Sequence, residues 1–143
     1  MAVEKVRPKL IVEVTSPSTR HGDLVTKRRQ YYRAGVDYYV IFDELPQRRM
    51  DAPRQLRILA YRRGQRGYER LELNEQGRLW LESVGVWLGI EIDNESGSAN
   101  ARAVCYDREG NRFLTALEER QARTAAEERV RQLEEELRRR DKR

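Results

Sequence analysis

Glu13, Asp23 and Lys27 are the residues whose types and spacing suit chemistry in this chain: two carboxylates and one ammonium. Glu13 interrupts the otherwise apolar run Leu10-Ile11-Val12-Glu13-Val14. A carboxylate in such a run loses hydration, at a cost of several kcal/mol, unless a cation, a metal or a set of donors replaces the water. Asp23, Lys27 and Tyr31 follow at i, i+4 and i+8, a spacing that lines them along one helical face together with Leu24 and Ala34. A stripe mixing polar and apolar residues packs toward a sheet, so Lys27 is expected to reach the carboxyl end of the first strand, beside Glu13. The chain has 25 arginines and four lysines, yet the residue on that face is lysine. A compact ammonium can position or polarise a water beside phosphate, whereas an arginine is a planar fork that is never deprotonated. Spacing alone leaves two readings open: a reactive Lys27, or a structural ion pair that neutralises Glu13.

Other reactive groups are scarce. Cys105 is the single cysteine and His21 the single histidine, which excludes an internal disulfide framework and a cysteine and histidine zinc site. One histidine without a nucleophile elbow also argues against a serine or cysteine hydrolase. Carboxylates and lysine remain, and with them metal and carboxylate chemistry.

The elements that must position these groups can be read along the chain. A length of 143 residues is enough for one domain burying roughly two-thirds of its unfolded surface. Residues 10–14 read as a central strand of a covered sheet. Ser16-Pro17-Ser18-Thr19 supplies a turn, and the segment to Ala34 reads as a helix closed by Gly35. Residues 38–42 form a second buried strand, making 10–43 a βαβ unit with parallel strands and a right-handed crossover. Residues 45–54 are irregular, and 56–62 and 68–73 flank Gly64-Gln65-Arg66-Gly67 as a hairpin. Short antiparallel strands are expected at 79–81, at 88–92 and around Asp107 to Asn111, with Gly110-Asn111 as a turn. Trp80 and Trp87 read as core anchors rather than base-stacking platforms. The fold class is α/β (α+β), with the domain over 1–114. Residues 115–143 form a charged helix on which Ala116, Ala126, Val130, Leu133 and Leu137 follow a loose heptad seam interrupted by Glu119 and Arg123. Self-association through that seam, giving a homo-oligomer, is one expectation.

Charge adds a partner class. Residues 118–143 hold nine basic and eight acidic side chains, so most of the net charge of +5 belongs to the folded part. Residues 46–70 contain eight arginines against Asp51 and Glu69, interleaved with Tyr61 and Tyr68. Such a hairpin can contact backbone phosphates without sequence specificity, and it can equally be a solvated arginine-rich surface. The opening residues carry charges throughout and no apolar stretch reaches signal-peptide or membrane-spanning length, which predicts a soluble, cytoplasmic protein with no membrane partner. The glycosylation-like triplet Asn94-Glu95-Ser96 is then accidental.

The stretch Pro8-Lys9-Leu10-Ile11-Val12-Glu13-Val14-Thr15-Ser16-Pro17-Ser18-Thr19, followed by Asp23, Lys27, Tyr31, Gly35-Val36 and Tyr38-Tyr39-Val40-Ile41-Phe42-Asp43, closely resembles the Uma-type restriction endonuclease family. That family has the PD-(D/E)XK nuclease fold, and many members carry a charged helical tail. The resemblance implies a phosphodiesterase that cuts DNA with Mg2+ or Mn2+. Glu13 then matches the acidic, metal-binding residue of the central strand, Lys27 the helix lysine, and Asp23 and Tyr31 the helix acid and tyrosine. Asp23 is expected to position rather than to ligate. Thr15 stands where the usual motif has lysine. Family members also have an upstream helix and a strand whose Glu-Pro-Asp supplies another metal-binding aspartate. Only twelve residues precede Glu13, with Glu4 as their sole acid, so the expectation is a truncated core, an incomplete metal site and little or no activity. The other reading is a non-catalytic DNA-binding or oligomerisation module.

Overall fold

Leu10–Val14 form the first strand, β1, and Tyr38–Glu44 the second, β2, in the computed structural model, which describes residues 6–94 and 99–141. The two run parallel, with Leu10 opposite Tyr38 and Val14 opposite Phe42. Between them the chain makes a helix in two parts. Ser16 and Thr19 build its entry: the Ser16 amide donates to Thr19 Oγ1 at 3.0 Å, and the Thr19 and Arg20 amides both donate back to the Ser16 carbonyl. Gly22–Lys27 are wound as a π-helix and Arg28–Ala34 as the α-helix α1. Gly22 and the β-branched pair Val25-Thr26 are weak α-formers, which favours the wider turn. Gly35 closes the helix at φ 80°, with its amide donating to Tyr32 O and the Val36 amide to Tyr31 O, a left-handed cap that a side chain would strain.

β2 pairs antiparallel with β3 (Leu56–Arg63), and β3 with the short β4 (Tyr68–Arg70), giving a four-stranded sheet in the order β1-β2-β3-β4. A second sheet, β5 (Leu79–Leu81), β6 (Val86–Asp93) and β7 (Asn100–Tyr106), is antiparallel throughout. Alternation of side chains assigns each face its partner. Val40, Phe42, Ile58 and Ala60 meet Leu79, Leu81 and Leu88 between the sheets. Tyr39, Ile41, Leu59 and Tyr61 face the other way and take Leu24 and Tyr31 of the helix, with Ile11 and Tyr68 at their margins. The unit is therefore layered helix, sheet, sheet, a mixed α+β architecture.

Four expectations need correction. Among the described residues β1 is an edge strand, with Val12 and Val14 exposed, and β2 and β3 are covered on both faces. A five-residue apolar run reads the same at an edge as in the middle. The last strand is Asn100–Tyr106 rather than a pair around Asp107–Asn111; those residues make the following turn, with the Gly110 amide donating to Asp107 O. Alanines and an arginine within β7 dilute its β signal. β4 ends at Arg70, before the expected limit of the hairpin. Trp80 and Trp87 are not core anchors: they sit opposite each other on adjacent strands, half-buried, with ring centroids 5.2 Å apart, while Leu79, Leu81 and Leu88 point into the core. Glu4 and the Glu95-Ser96 part of the glycosylation-like triplet lie outside the described residues.

The chain divides into two compact units, Met1–Arg112 and Phe113–Arg143. The second holds α2, Ala116–Asp141, which buries none of its residues. Its start is a capping box: the Thr115 amide donates to Glu118 Oε2 at 2.7 Å and the Glu118 amide to Thr115 Oγ1 at 3.2 Å. Val130, Leu133 and Leu137 are exposed along it. Among the described residues no helix is long and apolar enough to cross a membrane.

Candidate active site

Glu13 belongs to the face of β1 that also carries Ile11, and this face looks onto the helix. The structure brings Glu13, Asp23, Lys27 and Tyr31 together there. Lys27 Nζ lies 3.1 Å from Glu13 Oε1 and 2.6 Å from Asp23 Oδ1, so one ammonium bridges two carboxylates. Tyr31 donates its hydroxyl to Glu13 Oε1 at 2.9 Å. Asp23 is 1% exposed and Glu13 23% exposed, so the site has an inner acid and an outer one. Asp23 Oδ1 makes no well-aligned hydrogen bond; the close ion pair with Lys27 alone compensates its burial. The Tyr39 hydroxyl donates to the Asp23 carbonyl at 2.9 Å and fixes the turn from beneath. The π-helical stretch contains both Asp23 and Lys27, a distortion often found where a helix serves a site.

These contacts set the protonation states. Asp23 first, and Glu13 second, hold the Lys27 proton and raise its pKa well above the ordinary lysine value. Lys27 is thus a fixed cation at neutral pH rather than a base. Burial, then the Glu13 carboxylate, pushes the Tyr31 hydroxyl upward as well, so it remains a donor. The cluster can hold a proton, and the exposed part of the Lys27 ammonium is its one positive group. Its one carboxylate within reach of water is that of Glu13, because Asp23 is buried.

A second carboxylate cluster was not anticipated. Asp43, at the end of β2 and 0% exposed, accepts from Arg20 Nε at 2.8 Å, Arg57 Nε at 2.8 Å and Thr15 Oγ1 at 3.2 Å. Thr15 also accepts from the Glu44 amide at 2.8 Å, so its side chain is committed to the end of β2. Burial opposes ionisation of Asp43, but Arg20 and Arg57 outweigh it and hold the carboxyl below its usual range. The signal available in the sequence was an aspartate ending a buried apolar run; its arginine partners are 23 and 14 residues distant along the chain.

The donor set limits what metal could be held. Among the described residues, no group of three or more His, Cys, Asp or Glu side chains comes together. Asp23 is buried behind Lys27, and Glu13 Oε1 already accepts two hydrogen bonds, which leaves Glu13 Oε2 as the open oxygen. Mg2+ binds proteins through one or two carboxylates, taking its other ligands from water and substrate phosphate. Glu13 fits that mode of weak attachment, and not a closed cage.

A mixed α+β domain whose parallel pair and intervening helix carry a carboxylate and lysine cluster is compatible with a restriction-endonuclease-like fold. The sequence profile of the Uma2 family, described as putative restriction endonuclease, matches residues 3–95, and the chain belongs to that family. No curated protein and no solved structure matches it.

Proposed function

We propose that the chain acts on DNA as an endonuclease, hydrolysing phosphodiester bonds slowly with Mg2+ or Mn2+. One observation carries this reading: Lys27 Nζ is held between Glu13 and Asp23 on the surface that joins β1 to the helix. In this reading Glu13 Oε2 would hold the cation, which when bound supplies Lewis acidity toward the phosphate and a more acidic water. Lys27 donates hydrogen bonds to the reacting phosphate or the attacking water and offsets the charge that develops there. Asp23 is a positioning residue: it keeps Lys27 protonated and aimed. Tyr31 fixes the rotamer of Glu13. With one open carboxylate oxygen, cation affinity is low, which accounts for slow turnover. The domain in this reading spans 1–114, and the helical tail, residues 115–143, joins two copies through Val130, Leu133 and Leu137.

The test is incubation of supercoiled plasmid with the protein and Mg2+ or Mn2+, alongside Glu13→Gln and Lys27→Ala. Cation-dependent nicking should fall by about 100-fold or more in both variants, the size expected when a positioned electrostatic group is removed. DNA binding without nicking in the wild-type protein would favour the non-catalytic DNA-binding module, a reading that the single open carboxylate oxygen also supports.

A further inference from the structure

The eight arginines of residues 46–70 look like one basic patch in the sequence, but the fold divides them. Arg49, Arg54, Arg57 and Arg62 pair with Asp51, Glu44, Asp43 and Glu69. Arg63 and Arg66 instead lie at the β3–β4 turn, across from Arg28 and Arg29 of α1. Between helix and turn runs a groove of about 350 Å³, lined by Val25, Arg28, Arg29, Tyr32, Arg66 and Tyr68 with Gly67 at its rim. Among the described residues no acid lines it.

Its walls are preorganised. The Tyr32 hydroxyl donates to the carbonyls of Gly64 and Gln65, each at 3.1 Å, tying the helix to the turn. Tyr32 and Tyr68 meet edge to face at 5.4 Å. The Arg63 guanidinium stacks over the Tyr32 ring at 4.6 Å and that of Arg28 over Tyr61 at 5.2 Å, arrangements that hold a cation in place without neutralising it. Arg29 and Arg66 are exposed and form no ion pair among the described residues. Val25, Arg28, Arg29 and Tyr32 occupy one stripe of the helix, whereas Lys27 and Tyr31 turn toward Glu13.

We propose that this groove binds the sugar-phosphate backbone of DNA, with Arg29 and Arg66 each on a phosphate. Planar guanidinium forks suit phosphate oxygens, and unpaired arginines release counterions on binding, whereas those already paired with carboxylates contribute little. This backbone binding does not depend on the nuclease reading.

The experiment is fluorescence anisotropy of a labelled duplex with the full chain in EDTA, so that binding is read without cleavage, over a series of salt concentrations. Arg29→Ala/Arg66→Ala should weaken binding about tenfold or more and make the log–log salt slope shallower by roughly 1.8, that is, about 0.9 per lost phosphate contact. Arg49→Ala should leave both unchanged. Should the double variant not fold, Arg66→Gln, confined to the exposed turn, should give about half the change in slope. The proposal is overturned if affinity and slope match the wild type in these variants, if the wild type binds no duplex, or if Arg49→Ala weakens binding as much. Plasmid nicking, assayed separately, keeps the readings apart: groove-dependent binding without nicking sinks the nuclease alone, and nicking with groove-independent binding sinks the groove alone.

Discussion

Two acid and base clusters sit on the same side of the first sheet, and they solve the burial of a carboxylate in opposite ways. Around Asp43, two arginines and a threonine converge on one acid that has no exposure at all. Around Lys27, two acids share one ammonium that is itself 37% exposed, and a tyrosine holds the outer acid. The first arrangement satisfies its acid completely and offers a cation no carboxylate oxygen. The second leaves an oxygen of Glu13 and the face of an ammonium toward solvent. The difference teaches that charge alone does not mark a site: an unspent donor or acceptor at the surface does.

The largest effect that would sharpen this contrast is on stability. Asp43→Ala removes the acceptor shared by Arg20, Arg57 and Thr15 and should cost about 2–4 kcal/mol, below the full penalty for a broken buried pair because both arginines can reach water. Urea unfolding measures it. Because the Asp43 pKa is depressed in the folded state, its stabilisation is present above the unfolded-state value, near pH 4, and is lost as pH falls through the folded value. Asp43→Asn should therefore flatten the acid limb of the stability curve. An acid limb identical to that of the wild type would break the account of this cluster.

Tyr31→Phe gives the smaller effect. It deletes one hydrogen bond to Glu13 and should lower stability by about 1 kcal/mol. Nicking should fall further than that loss of stability explains, because the Glu13 rotamer is freed. A Tyr31→Phe protein with unchanged nicking would remove the tyrosine from the site and leave it a core residue packed against Tyr39.

Much of the Lys27 cluster was legible in the sequence because its parts are local. Asp23, Lys27 and Tyr31 are one helical stripe, and a single β-strand face supplies Glu13. The π-helical winding was not legible, since it differs from an α-helix by less than one residue per turn and leaves the Asp23 and Lys27 pairing intact. The Asp43 cluster escaped for another reason. Arg20, Arg57 and Thr15 come from three separate elements, and only the tertiary fold can select them among 25 arginines. The same limit explains the tryptophans. Composition marked Trp80 and Trp87 as apolar anchors, but strand alternation gave the inward face to the leucines on either side. Strand existence was readable for β2 and β3, where the apolar runs are long; the edge position of β1 was not, because it depends on what lies beside the strand.

Binding of Mn2+, followed by its electron paramagnetic resonance at neutral pH, tests the central claim most directly, because it compares the two clusters without requiring turnover. The account predicts weak binding to the wild-type protein, a loss of at least about tenfold in Glu13→Gln, and wild-type affinity in folded Asp43→Asn. Equal binding by Glu13→Gln and the wild type, or a loss confined to Asp43→Asn, would contradict it.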